Sequence, residues 1–262
     1  MDLGLKGKSV LVIASSKGLG RACAEMYSAE GARVMLTGRE EDTLKKTAAE
    51  IIEKTGNEVR YSVCDITKKE DIANAVAQTA AAYGTVDVLV NNAGGPPAGN
   101  FDAFSDEDWV YGFELTLLSL VRTVREVLPY MRKSGSGRIV NIASSSFKQP
   151  IDGLILSNTY RTAIVGLAKS LSQELGCEGI LINTVGPGRI GTDRIKELDS
   201  FLADKKGVSG HDIEQEFQSM IPLGRYGTPE EFARTILYLG SPANTYVTGQ
   251  AVLVDGGLVK AL

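Results

Sequence analysis

Short apolar runs alternate along the chain with longer stretches in which apolar residues recur every three or four positions. Residues 10–13 (VLVI), 32–37, 58–63, 86–90, 138–143, 180–185 and 251–254 read as strands. The first is apolar on consecutive positions and rich in β-branched residues, the pattern of a strand covered on both faces in a parallel sheet. Between them, Ala22, Ala24, Met26, Tyr27 and Ala29 carry a helical stripe that stops at Gly31. Residues 41–54, 68–83, 104–133, 156–176 and 228–239 carry similar stripes. The stretch 104–133 is opened by Ser105 as N-cap, with Asp106, Glu107 and Asp108 in its first turn. Residues 193–220 are polar and charged, and read as helical in pieces. Repeated strand–helix units at this spacing predict an α/β protein in one domain. Its core is a doubly wound parallel sheet of about seven strands with helices on both faces, and ligands bind at the edge where the loops leave the strands.

Composition narrows the class. The 262 residues are 43% hydrophobic, ordinary for a chain with a sizeable core, and the formal net charge of −4 argues against nucleic acid or an anionic membrane as partner. No apolar run approaches the ~20 residues that span a bilayer. The N-terminus runs straight into the first strand, without a signal-peptide pattern. Cys23, Cys64 and Cys177 are scattered, with no CxxC pair, which suits a reducing cytoplasmic setting. No cluster has metal-ligand spacing, so no metal site is expected. His211 lies in a polar stretch and reads as a surface residue.

Chemistry begins after the first strand, where Ala14-Ser15-Ser16-Lys17-Gly18-Leu19-Gly20 forms a small-residue turn into a helix. Such a turn lets a pyrophosphate approach the backbone, and the helix N-terminus offers unpaired N–H groups and positive partial charge. Read on these residues alone, the same turn is also compatible with an ordinary strand–helix connection.

Taken in order, several motifs resemble the classical short-chain dehydrogenase/reductases, with a particular likeness to 3-oxoacyl-carrier-protein reductases. They are Ser15 to Gly20, Asp65, Asn91-Asn92-Ala93-Gly94, 138–144, Asn183 with Pro187-Gly188 and Thr192, Pro222-Leu223-Gly224 with Pro229-Glu230-Glu231, and Asp255-Gly256-Gly257. The likeness covers nearly the whole chain and implies a Rossmann-type fold and a nicotinamide cofactor. Ala14 stands where the family has its first glycine.

The resemblance assigns cofactor contacts to Ser15, Ser16, Lys17, Gly18, Leu19 and Gly20 in the turn. It assigns Asp65 and Ile66 to the adenine, Asn92, Ala93 and Gly94 to the ribose side, and Pro187, Gly188, Ile190 and Thr192 to the nicotinamide. Lys17 and Arg39, with no acid at the end of the second strand, suit the 2′-phosphate of NADP(H) over NAD(H). Both could also be solvated surface charges, and Glu40 and Glu41 stand close by in sequence.

The family's usual catalytic set is Asn, Ser, Tyr and Lys, the last two spaced YxxxK. Here the residue four after Tyr160 is Ile164. Ser144 sits where the family's serine sits, and thirteen residues on stands Ser157, followed at the lysine's place by Arg161. Thr116 corresponds to the asparagine. An aliphatic hydroxyl is a far weaker acid than a tuned phenol, and arginine stays charged. Three routes stay open: Ser144 and Ser157 pass a proton from water while Arg161 steadies the oxyanion; Tyr160 swings in; or the protein binds cofactor with little turnover, as a sensor or assembly protein. Tyr160 shares a stripe with Ile164, Leu167 and Leu171, which reads as core or subunit interface. Gly94-Gly95-Pro96-Pro97 reads as one wall of a pocket for a small carbonyl or alcohol substrate, and 193–220 resembles the family's substrate lid. Family likeness also implies a homo-oligomer, a dimer or tetramer. Acyl-carrier-protein recognition calls for a basic surface patch, and none stands out.

Overall fold

The computed structural model describes residues 2–261. Seven parallel strands form one sheet: β1 (Ser9–Val12), β2 (Arg33–Gly38), β3 (Val59–Val63), β4 (Val88–Asn91), β5 (Gly137–Ile142), β6 (Ile180–Pro187) and β7 (Ala251–Val254), in the order β3-β2-β1-β4-β5-β6-β7. Helices α1 (Gly18–Ala29), α2 (Glu41–Thr55), α3 (Lys69–Tyr83), α4 (Asp106–Phe113), α5 (Ser119–Ser134), α6 (Ile155–Leu175), α7 (Asp193–Lys206), α8 (Gly210–Met220) and α9 (Pro229–Leu239) connect them.

Side-chain alternation along the strands builds two cores. Val10, Val12, Val34 and Leu36 face α1, α2 and α9 through Tyr27, Leu44 and Phe232. Leu11, Ile13, Met35 and Leu89 face α3, α5 and α6 through Ile72, Val124 and Ile164. Both faces of β1 are therefore buried, which is why its sequence does not alternate. The order reverses between β1 and β4, so the loops leaving these two strands part and open a crevice at the carboxyl edge, the position where doubly wound sheets bind ligands.

The expected single helix over 104–133 is corrected. Phe101–Ala103 is a short 3₁₀ turn and Phe104 is not helical; α4 starts at Asp106, capped by Ser105 with a reciprocal Asp108 capping box. Between α4 and α5 the chain widens into a π-helical turn, Glu114–Leu118, which accommodates an extra residue. Thr116 lies in that turn, buried. The polar stretch 193–220 is two helices, α7 and α8, broken at Gly207, whose φ of +68° ends α7.

Candidate active site

The turn from β1 into α1 is shaped by three small residues. Ala14 has φ +49° and Gly18 φ +59°, both in the left-handed region. Gly20 packs so tightly that a Cβ there would lie 2.9 Å from the Asn92 amide nitrogen, which itself donates to the Ala14 carbonyl at 2.9 Å. That bond ties the loop after β4 to the turn after β1. Ser15 is turned inward: its hydroxyl donates to Val12 O (2.8 Å) and accepts from the Thr37 amide (3.0 Å). Ser16 is half-buried, and its carbonyl accepts from Thr47. Leu19 packs against the first core.

The first turn of α1 has no side-chain cap, so its leading N–H groups point out of the helix unsatisfied by any side chain. Gly18 has open space where a Cβ would stand. Lys17 and Arg39 are both exposed, and neither forms an ion pair among the described residues. Glu41 is engaged by Lys45 at 3.1 Å and by the Tyr61 hydroxyl. An uncapped helix N-terminus, a side-chain-free approach and two unpaired cations fit the phosphates of a dinucleotide.

Further round the edge, Asp65 is half-buried. Burial pushes its carboxyl up, but bonds from the Thr67 amide and hydroxyl, with Lys68 and Arg39 nearby, hold it below its ordinary value. Ile66 belongs to the second core and Ile190 to the first, so both side chains face inward and only their backbones line the edge. Pro187 ends β6, the Gly188 amide donates to Val254 O (3.0 Å), and Thr192 is the extended residue before α7.

The second half of the site lies where β5 meets α6. Ser144 is half-buried and its hydroxyl accepts from the Ser146 amide at 3.2 Å, which leaves its own proton free to donate. Ser157 is half-buried in the first turn of α6, one helical turn before Arg161. Arg161 is only 5% exposed. Its Nη1 donates to Ile142 O (2.8 Å), and its Nη2 to Ala93 O (3.1 Å) and Gly94 O (3.5 Å). The guanidinium thus clamps the ends of β4 and β5 together. Burial draws it down to about 10, and the neighbouring Arg194 adds to that fall. Arg161 and Thr116 line a cavity of about 10 Å³, the size of one water, with Asn91, Asn92 and Ile142. The Thr116 hydroxyl is buried without a partner among the described residues.

Tyr160 points elsewhere. Its hydroxyl donates to Trp109 O (2.8 Å), and its ring stands edge-on to Trp109 and tilted against Phe113, pinning α6 to α4. Burial pushes its phenol up, away from the acidity a proton donor needs.

Sequence reasoning missed Arg194, Arg189 and Asp199. Arg194, in the first turn of α7, reaches the loop after β4 and donates to Pro96 O at 3.2 Å. A cation in a helix's first turn opposes the helix dipole, and that was the available signal. Arg189 pairs with the buried Asp199, which also accepts from the Tyr226 hydroxyl (3.0 Å), and its guanidinium lies 3.3 Å over the Phe217 ring. These contacts fasten α7 and α8 onto the segment after β6. His211 is exposed and touches Gln215. Among the described residues there is no metal-ligand cluster and no helix long and apolar enough to cross a membrane.

A family model described as Enoyl-(Acyl carrier protein) reductase matches residues 13–259. The 3-oxoacyl-(acyl-carrier-protein) reductase FabG of Chlamydia muridarum is 34% identical over 254 residues, covering 97% of this chain and 98% of the relative. L-sorbose reductase from Gluconobacter frateurii, solved with NADPH and L-sorbose, superposes with a TM-score of 0.95 at 32% identity over 100% of both chains. An actinorhodin polyketide ketoreductase with NADPH superposes at 0.92, with 35% identity over 96% of this chain and 97% of the other.

Proposed function

The chain belongs to the short-chain dehydrogenase/reductase family, and on that premise we propose that it is an NADP(H)-dependent oxidoreductase acting on a carbonyl/alcohol pair through an atypical set of residues. The observation that carries this reading is the uncapped N-terminus of α1 flanked by the unpaired cations Lys17 and Arg39. Two cations and no acid at the end of β2 favour the 2′-phosphate of NADP(H) over the free ribose hydroxyls of NAD(H). The NADPH in the L-sorbose reductase and actinorhodin ketoreductase structures supports the same choice.

When bound, the nicotinamide supplies or takes up the hydride. The protein's own groups do the rest. Ser144 and Ser157 donate hydrogen bonds to the carbonyl oxygen of the substrate and pass it a proton that comes from water. Arg161 sets a fixed positive charge one helical turn away, which favours the developing oxyanion in a low-dielectric setting. Arginine has five N–H donors and three bonds to carbonyls are formed, so the remaining donors are free to hold ribose hydroxyls. Thr116 fills the asparagine's place in the wall. The helices α7 and α8, fastened through Arg189 and Asp199, act as the substrate lid. Val110, Tyr111 and Phe113 lie exposed on α4 with Phe101 beside them, an apolar face suited to association of copies into a dimer or tetramer.

A second reading keeps the cofactor and drops the turnover: a nucleotide-binding sensor or assembly protein. The commitment of the Tyr160 hydroxyl to Trp109 O favours it, because that phenol is held away from Ser144 and Ser157. Fluorescence titration with NADPH and NADH, followed by NADPH oxidation against a panel of ketones and aldehydes, separates the two. The oxidoreductase reading expects NADPH to bind at least ten times tighter than NADH and some carbonyls to be reduced. Tight NADPH binding with no turnover across the panel gives the second reading, and no binding of either nucleotide overturns both.

A further inference from the structure

We propose that the carbonyl substrate carries a carboxylate, and that Arg194 of the lid receives it. The proposal rests on the oxidoreductase reading of the site and names its substrate class.

Two guanidinium groups converge on one loop. Arg161 holds the carbonyls of Ala93 and Gly94 from below; Arg194 holds the carbonyl of Pro96, two residues on. Arg194 also lies flat against Gly95, where a built Cβ would come within 3.0 Å of Nη2 and 3.3 Å of Nε. Arg194 stands close enough to disfavour the charge of Arg161, which burial already opposes. No carboxylate among the described residues answers Arg161, whose bonds all go to neutral carbonyls. Arg194 is itself 44% exposed, and its one ion-pair partner among the described residues is Glu197, 3.5 Å away and 62% exposed, a weak surface contact. A buried, uncompensated cation with a second cation beside it is costly unless an anion arrives.

The dipole of α7 adds to the same field. Arg194 stands in its first turn, where the helix end is itself positive, Thr192 provides no side-chain cap, and the neighbouring Asp193 is turned to solvent at 73% exposure. The exposed carboxylates of the same segment, Asp193 and Glu197, face Lys196 and Arg194 at 3.8 and 3.5 Å, so the cation left without any carboxylate among the described residues is the buried Arg161 beside it.

Position decides which anion. The cations suited to a cofactor phosphate, Lys17 and Arg39, stand at the ends of β1 and β2. Arg194 follows β6 on the other side of the crevice. The loop it touches is joined to the chain just ahead of Ser157: the Gly99 amide donates to Gly153 O at 2.6 Å, and the Ile155 amide to Gly99 O. Arg194 therefore closes the wall on the side of Ser157, where the substrate would sit. An oxo acid fits this arrangement, its carboxylate on Arg194 in a bidentate pair and its carbonyl toward Ser144 and Ser157.

The test uses short 2-, 3- and 4-oxo acids of four to eight carbons, each beside its methyl ester. NADPH oxidation is measured with the intact protein, with Arg194→Gln and with Arg194→Lys. Calorimetry measures binding of the same compounds to the protein saturated with NADP⁺. The intact protein should prefer at least one acid over its ester by tenfold or more in kcat/KM. Arg194→Gln should erase that preference, mainly through a higher KM for the acid, with the NADPH affinity unchanged, and Arg194→Lys should restore part of it. Equal use of acid and ester, or a preference that survives Arg194→Gln, overturns the proposal. A parallel loss of NADPH affinity also overturns it and assigns Arg194 to the cofactor. If nothing is turned over, the oxidoreductase reading fails, while calorimetry still judges the carboxylate: Arg194-dependent binding of an acid and not its ester keeps it, and no such binding ends it.

Discussion

The cations at the β1–α1 turn and the cation at the head of α6 carry the same charge in opposite surroundings. Lys17 and Arg39 stand in solvent, make no ion pair among the described residues, and bear on neighbouring structure only weakly. Arg161 is 5% exposed and holds three backbone carbonyls from two strand ends. Exposed cations leave the fold indifferent to them and are free for an incoming phosphate. A buried cation is part of the architecture, and its charge can act on a reaction only because the fold keeps it in place. Binding and stability are separable at the first site and joined at the second.

The largest effect should come from Arg161→Met, which keeps the bulk and removes the donors. Three carbonyls lose their partner, and the loss should be about 2–4 kcal/mol in urea unfolding. Turnover should fall by about 100-fold, the scale for removing one oxyanion donor. The double change Lys17→Ala, Arg39→Ala should weaken NADPH binding by roughly 10- to 100-fold and leave NADH binding unchanged. Its unfolding free energy should move by less than ~0.5 kcal/mol. Destabilisation as large as that of Arg161→Met would erase the contrast between the two sites.

Smaller changes sharpen it. Tyr160→Phe removes the bond to Trp109 O and should cost about 1 kcal/mol with turnover intact. A tenfold fall in turnover would mean that the phenol reaches the substrate after all. Ala14→Gly relieves a left-handed alanine and should stabilise the protein by roughly 0.5–1 kcal/mol in the same unfolding assay, the strain relieved outweighing the added unfolded-state freedom. The smallest effect concerns Glu231, which the Arg225 fork and the Thr228 amide hold down at about 2, against an ordinary 4.5. Its folded-state pKa is depressed, so its contribution is present above 4.5 and is lost as pH falls toward 2. The melting-temperature gap between the protein and Glu231→Gln should close over that window.

Much of the fold was legible because two periodicities do not overlap. Continuous β-branched runs such as 10–13 have no helical reading at that length, and the stripes of 41–54 and 156–176 have no strand reading. Predicted strand and helix ends fall within a few residues of those found. The helix from Ser105 was legible at its start, where the capping box is local, and not at Thr116, because a π turn leaves no mark in the pattern of apolar positions. At the β1–α1 turn the glycines announced a close backbone approach, since that requirement is a property of residue type. Ser15, Ile66 and Ile190 belong to motifs the sequence singled out, but only packing reveals that their side chains face inward.

By itself the sequence determined the α/β class, the seven strands, the small-residue turn with its two nearby cations, and the missing YxxxK spacing. These rest on residue type and on spacing along the chain, which neighbours in sequence are enough to set. Only the tertiary structure decided that the Tyr160 hydroxyl meets Trp109, that Arg161 is a buried clamp, and that Arg194 crosses from α7 to Pro96. Those outcomes depend on contacts between residues 51, 19 and 98 positions apart, and no local preference encodes which distant carbonyl a donor will find once the sheet and helices have closed around it.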